Sequence, residues 1–479
     1  MESKFKHLPQ NERKKILLIC DDIRVHSGVA TVANEIVRAT AHHFNWVNIG
    51  GAIKHPDQGK ILDLSESLNS ELEIDDSDVK LYPTNGYGDA GFLREVMNRE
   101  NPDAIMLITD PRYFMWLFNI EQEIRKNIPI SYLNIWDDYP APMYNKAYYE
   151  ACDLLMGISK QTVNINRIVL GDAADTRILK YVPHGLDTEY YKPLPDDDKE
   201  LLKFKNNFFA KEKPEFVLFF NSRNIRRKQI PDTMLAFRAF LDSLPKEQAD
   251  KCKLVMHTEL VSDAGTDLRK VEEYLFNDTY PNAIKFSHQK LSKEHLNYLY
   301  NIADAQILLT SNEGWGLTIT EAILAGTPII ANSTGGMQDQ MRFEDNDGNW
   351  FTPSSDIPSN HRGTFKKHGE WAFPVYPASR SIQGSPPTPY IFDDRCRWED
   401  ATDRIKELYN LTRKERKALG LKGREWAISD EAGFTTFHQG ERVMEAFEEL
   451  FSTWKPREKY EIINGTEYVG PKLTHKIIY

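Results

Sequence analysis

Two glutamates, Glu313 and Glu321, stand eight positions apart in "SNEGWGLTITEAILAGTPIIANSTGG" (311–336). The stretch reads as a loop, a short helix and a strand, and it follows "AQILLT" (305–310), an apolar run of strand length. In open parallel sheets ligands sit outside the carboxyl ends of the strands. Glu313 is therefore expected where a ligand would lie, and Glu321 on the helix rising from that edge. Gly314 and Gly316 let the backbone come close to a ligand, and the helix amino terminus offers free N–H groups and positive potential to a phosphate. The chemistry this pattern suits is recognition of neutral hydroxyls by carboxylates, next to an anion held by backbone.

Such groups need a parallel sheet to position them. Apolar runs "KILLIC" (15–20), "AIMLIT" (104–109), "ISYLNIW" (130–136), "LLMGIS" (154–159) and "ILKYVPHG" (178–185) alternate with helical patterns, the signature of parallel strands covered on both faces. After "KILLIC" comes the loop "DDIRVHSG" and then a helical stripe of Val29, Val32, Ala33, Ile36 and Val37. Residues 186–214 turn polar and proline-bearing, which places a domain boundary there. A second series opens with "FVLFFNSRN" (216–224) and continues through "KLVMHT" (253–258), "AQILLT" and "PIIAN" (328–332). The expected division is a first domain over 1–200, a second over 201–440 with an insertion at 343–398, and a helix and tail over 441–479. The insertion is rich in proline, serine, glycine and aromatics and reads either as a functional loop or as partly disordered. Residues 404–454 read as helical, with "ERVMEAFEELFSTW" their clearest amphipathic stretch.

The chain has 479 residues, 41% hydrophobic and 27% charged, enough for two domains with separate cores. Its formal charge of −11 argues against coating nucleic acid or acidic membrane by charge alone. Cys20, Cys152, Cys252 and Cys396 lack the short paired spacings of zinc or redox sites, and with an amino-terminal apolar run too short for a signal or a span they point to a reduced, cytoplasmic setting. His257, His288 and His295 show no metal-ligand spacing, and "IDDSD", "PDDDK" and "FDDRC" read as solvated acidic turns, so no metal is expected.

The run "EGWGLTITE", followed by "AILAGTPIIA" and "GG", resembles the signature of nucleotide-sugar-dependent glycosyltransferases of family 4. That resemblance implies an α/β chain of the GT-B fold, two Rossmann-like domains with parallel sheets facing across a cleft, acceptor side first and donor side second. It puts Glu313 beside the donor sugar, Glu321 on the ribose hydroxyls, and a donor-binding role on Glu313, Gly314, Trp315, Gly316, Leu317 and Glu321. "NSRNIRRKQ" resembles the family segment in which an arginine and a lysine five residues on grip the donor diphosphate, here Arg223 and Lys228. Fixed cations suit a departing nucleoside diphosphate, which gains negative charge as its glycosidic bond breaks. Arg226 and Arg227 read as solvated neighbours. "HSGVATVANEI" resembles the family's first glycine loop, with Gly28 approaching donor or acceptor. "VPHGLDTEYYKP" resembles a "P-N-G-V-D" hinge, with His184 where asparagine is usual. Many members carry a histidine where this chain has Trp136 in "IWDDYPAP". Asp137 or Asp138 then either takes over a hydrogen bond to the donor sugar or caps the turn before Pro140.

The resemblance implies a hexosyl- or pentosyltransferase that moves a sugar with retained anomeric configuration from a nucleoside diphosphate sugar, its co-substrate, to an acceptor hydroxyl without a further cofactor. Catalytic roles are expected of Glu313, Arg223, Lys228 and Asp137. Two alternatives remain open, a sugar-nucleotide 2-epimerase of the same fold and an inactive sugar-nucleotide binding module. A glycan or small-molecule acceptor is preferred over a hydroxylated DNA base. The DNA reading rests on Trp371, Phe373, Tyr376, Tyr390 and Trp398 beside Lys366, Lys367, Arg395 and Arg397, since aromatics can stack on bases and cations can meet phosphate.

Overall fold

The computed structural model describes residues 3–457 except residue 211 and residues 355–358; the expected tail beyond 457 lies outside them. The first sheet comprises β1 (Lys14–Asp21), β2 (Phe44–Gly51), β3 (Leu62–Asp63), β4 (Val79–Pro83), β5 (Ala104–Ile108), β6 (Ile130–Asn134), β7 (Leu154–Gly157) and β8 (Ile178–Tyr181). Its order is β3-β4-β2-β1-β5-β6-β7-β8, and every pairing is parallel except that of the short β3 with β4. The second sheet comprises β9 (Phe216–Asn221), β10 (Cys252–His257), β11 (Ile284–Ser287), β12 (Ala305–Leu308), β13 (Ile329–Asn332) and β14 (Ala372–Val375). It is parallel throughout, in the order β11-β10-β9-β12-β13-β14. In each sheet the first strand lies inside the order, so the winding reverses beside β1 and beside β9. A reversal of this kind leaves a crevice at the carboxyl ends of the strands.

Covering both faces of a strand excludes water from successive residues, and Ile16, Leu17, Leu18 and Ile19 of β1 are all fully buried. Strand β2 escapes the apolar pattern because "FNWVNIGG" contains two asparagines and two glycines, yet all eight residues are buried. Asn48 is accommodated there by donating from Nδ2 to the Leu18 carbonyl at 3.2 Å, which removes most of the cost of an unpaired buried amide.

The first sheet ends at Tyr181 and the second begins at Phe216, on either side of the expected boundary segment. The carboxyl-terminal helix Thr436–Thr453 belongs spatially to the first domain. It lies across the helix Gly28–Thr40, with Phe447 edge-on to Phe44 at 5.7 Å, and a Cβ at Gly440 would stand 2.6 Å from the Ala39 side chain. The chain thus passes between domains twice, and the two passes touch. Leu186 N–H donates to the Phe434 carbonyl at 3.2 Å, and Thr436 N–H to the Leu186 carbonyl at 3.1 Å.

The described part of the insertion includes regular secondary structure. It supplies β14 at the edge of the second sheet and an antiparallel hairpin, β15 (Pro377–Ser385) and β16 (Thr388–Cys396). Of the aromatic and cationic set behind the DNA reading, Trp371 and Phe373 are buried, whereas Lys366, Lys367, Arg395 and Arg397 are exposed. Trp371 stacks on Trp426 at 4.9 Å, Phe373 lies in β14, Arg395 binds Asp232 at 2.7 Å, and Lys366 sits over Tyr376. Among the described residues no helix is long and apolar enough to cross a membrane.

Candidate active site

Of the expected site residues, Glu313 and Lys228 meet at the carboxyl ends of β9 and β12, and Asp137 reaches the same loop from the first domain. After β12 the chain forms a loop whose backbone is locked to the loop after β9, with Ser311 N–H donating to the Arg227 carbonyl at 2.8 Å. Glu313 lies in that loop, and its Oε2 accepts from Arg227 Nη1 at 2.8 Å and from Lys228 Nζ. Burial alone would push this carboxyl up, but the Arg227 and Lys228 cations outweigh it and hold Glu313 down at about 2. Lys228 is itself lowered, first by burial, with the Glu313 charge opposing that shift. Glu313 is thus an ionised carboxylate bonded to two cations.

Arg227 corrects the expectation that it is a solvated neighbour. Residues Arg226–Lys228 form a single 3-10 turn, in which successive side chains point about 120° apart. Arg226 turns outward to Asp393 at 2.7 Å, Arg227 inward to Glu313 and the Asn312 carbonyl (2.6 Å), and Lys228 into the buried cluster. Arg223, expected to grip a diphosphate with Lys228, is exposed and takes no part in the Glu313 pairing.

Asp137 comes from the first domain, in the loop after β6, and reaches across to this cluster. Its Oδ1 accepts from Gly314 N–H at 3.0 Å, and its Oδ2 lies 3.8 Å from Arg227 Nη2. Gly314 is required by this approach, because a Cβ there would lie 2.8 Å from the Ile135 carbonyl oxygen. Asp138 points the other way. It is buried, accepts from Gln161 Nε2 at 3.1 Å and from Tyr139 N–H at 2.7 Å, and burial raises it well above the usual carboxylate range. Gly28, at the start of its helix, faces Leu317 at the start of the helix Leu317–Leu324, with a Cβ there 3.6 Å from the leucine side chain. The two helix amino termini therefore oppose each other across the gap.

Gly316 begins the helix Leu317–Leu324 with φ +89°, a left-handed conformation that favours glycine. The intervening Trp315 turns its side chain into the core. It packs edge-on against Phe434 at 4.9 Å and His184 at 6.1 Å, and Nε1 donates to Thr320 Oγ1 at 2.9 Å. His184, at the first crossing between domains, is buried and its burial lowers it to about 3, so it is a neutral packing partner. Glu321 is held from below, accepting from Tyr300 (2.5 Å) and Asn221 (3.3 Å) on Oε2 and from Tyr191 (3.2 Å) on Oε1. Burial raises its carboxyl despite these donors. Tyr191, Tyr300 and Asn221 were not legible as site residues, although Asn221 is the polar residue that ends an otherwise apolar strand. No group of three or more histidine, cysteine, aspartate or glutamate side chains is arranged to hold a metal ion among the described residues.

Known proteins resemble this chain in two ways. Residues 200–359, which contain Glu313, Lys228 and Glu321, match the family model described as "Glycosyl transferases group 1". Two curated D-inositol 3-phosphate glycosyltransferases align with part of the chain. The protein from Geodermatophilus obscurus is 27% identical over 175 residues, 35% of this chain and 36% of the relative; that from Corynebacterium jeikeium is 25% identical over 185 residues, 39% and 42%. The chain thus spans about a third to two-fifths of the length of these relatives. Among solved structures, Anabaena HepE in complex with UDP and glucose superposes with a TM-score of 0.61 at 15% identity, covering 91% of this chain and 100% of that one. Sucrose-phosphate synthase from Thermosynechococcus elongatus superposes with a TM-score of 0.63 at 15% identity, covering 92% and 100%. The fold is GT-B, with two parallel-sheet α/β domains.

Proposed function

We propose, from the premise that this chain carries a group 1 glycosyltransferase domain in residues 200–359, that it moves a sugar from a nucleoside diphosphate sugar to an acceptor hydroxyl with retention of configuration. The observation that supports this most is the convergence of Lys228, Arg227 and Glu313 at the amino end of the helix Leu317–Leu324, met from the other domain by Asp137. A diphosphate entering there competes with Glu313 for two cations, which at about 4 Å and an effective dielectric near 20 attract a unit charge by about 4 kcal/mol each. Its arrival frees Glu313 to accept hydroxyls of the donor sugar, while the Gly316 turn and the helix end present N–H groups to phosphate oxygen. Glu321, one turn along the helix, takes the ribose hydroxyls.

In the transfer, the bond between the anomeric carbon and the β-phosphate oxygen breaks and its electron pair leaves with the diphosphate. Lys228 and Arg227 stabilise that growing charge. The acceptor oxygen bonds the same carbon on the same face, and its proton passes to the departing phosphate oxygen. In this reading the cations and the helix end neutralise the diphosphate, and Asp137 orients the Gly314 amide. A thermal-shift screen with UDP-, GDP- and ADP-glucose tests donor binding, because a ligand that prefers the folded chain raises its melting temperature. Glu313→Gln and Lys228→Ala are each expected to lower turnover about a hundredfold while the fold survives. Unchanged turnover in both variants refutes the assignment.

A further inference from the structure

The hairpin β15–β16 spans the gap between the domains. Its root is fixed to the second domain, where Asp394 N–H donates to the Ser311 carbonyl at 2.8 Å and Asn312 Nδ2 donates to Asp393 Oδ1 at 2.7 Å. Its body and tip lie on the first domain. Phe392 N–H donates to the Tyr139 carbonyl at 2.6 Å, Tyr144 hydroxyl to the Tyr390 carbonyl at 3.3 Å, and Arg112 Nη1 to Thr388 Oγ1 at 2.7 Å. Beside it is a cavity of about 440 Å³ lined by Asp137 and Arg227 on one hand and by Thr388, Ile391 and Asp393 of the hairpin on the other.

We infer that this cavity is the acceptor subsite and that the hairpin restricts it to an uncharged polyhydroxylated ring, a free sugar or cyclitol. The inference rests on the proposed transfer, since Asp137 and Arg227 of the lining belong to the Glu313 cluster assigned to the donor. The volume is near the lower end of the roughly 300–1,000 Å³ typical of small-molecule pockets, which suits one ring or one end of a larger glycan. Charge decides the class. The three cations of the lining are each already bonded to an acid: Arg112 to Asp110 at 2.7 Å, Arg226 to Asp393 at 2.7 Å, and Arg227 to Glu313 at 2.8 Å. A phosphate accepting from the remaining guanidinium N–H groups would meet cations whose charge is already matched by an acid and would face Asp110, Asp137 and Asp393. Hydroxyls, by contrast, donate to the remaining carboxylate lone pairs and accept from guanidinium N–H groups without breaking a pair.

The test uses the full chain with the nucleoside diphosphate glucose that shifts melting most. Free glucose, free inositol and their monophosphates are compared as acceptors in the wild type and in Ile391→Trp, which fills the cavity from the hairpin side. The neutral compounds are expected to be used with kcat/KM at least about tenfold above their phosphates. Ile391→Trp is expected to raise acceptor KM about tenfold or more and to leave the donor-induced melting shift as in the wild type. Preference for the phosphates, or an unchanged acceptor KM in the variant, overturns the inference. If no nucleotide sugar shifts melting, the donor reading has failed. Saturation-transfer NMR with glucose or inositol alone then still reads the cavity: a signal lost in Ile391→Trp supports it, and equal signals in both proteins overturn it.

Discussion

At the scale of single residues, the site is a charge cluster whose members cannot be ranked from their order in the chain. Arg223 and Lys228 keep the spacing of a diphosphate-gripping pair, yet Arg227 holds Glu313 because a three-residue turn aims it inward. Arg227→Ala is expected to lower kcat about a hundredfold, and Arg223→Ala less than about tenfold, in steady-state assays with a fixed donor. His184 makes a second, separable prediction. Its ordinary value of 6.5 applies to the unfolded chain and burial takes the folded value to about 3, so the unfolded state binds the proton first. The stability it permits is complete above pH 6.5 and falls as pH drops from 6.5 toward 3. Between pH 7 and pH 5 that loss is about 2 kcal/mol for one proton. Urea unfolding of His184→Asn should show a pH dependence smaller than that of the wild type by this amount.

At the scale of elements, the decisive contact is the loop after β6 against the loop after β12. Gly314→Ala places a methyl group against the Ile135 carbonyl, which is expected to lower stability by about 1–3 kcal/mol and to reduce transfer by moving Asp137 off the Gly314 amide. Equal turnover and equal unfolding midpoint in this variant would show that the two loops are free to separate. Strands buried on both faces were legible as continuous apolar runs, as at Ile16–Ile19. Strand β2 was not, because Asn48 is held by a hydrogen bond to β1 and Asn45 by one to the Gln10 carbonyl, partners that no local pattern reveals. The Glu313 and Glu321 spacing was legible because a strand, a glycine turn and a helix dictate it locally. The tyrosines behind Glu321 and the hairpin over Asp137 come from distant segments, and only the tertiary fold brings them there. Proline and glycine in the hairpin sequence masked an antiparallel pair with two register shifts, which bonds to loops of both domains and not to a larger sheet.

At the scale of the whole molecule, the carboxyl-terminal helix makes the first domain depend on both ends of the chain. Gly440→Val drives a branched side chain into Ala39 and is expected to lower the melting temperature, with about 1–3 kcal/mol lost in urea titration. The adjoining passes at Leu186 and Thr435 have a mechanical consequence. Two backbone segments bonded side by side share their constraint, so neither crossing can turn about its own backbone bonds without breaking the Leu186–Phe434 and Thr436–Leu186 hydrogen bonds.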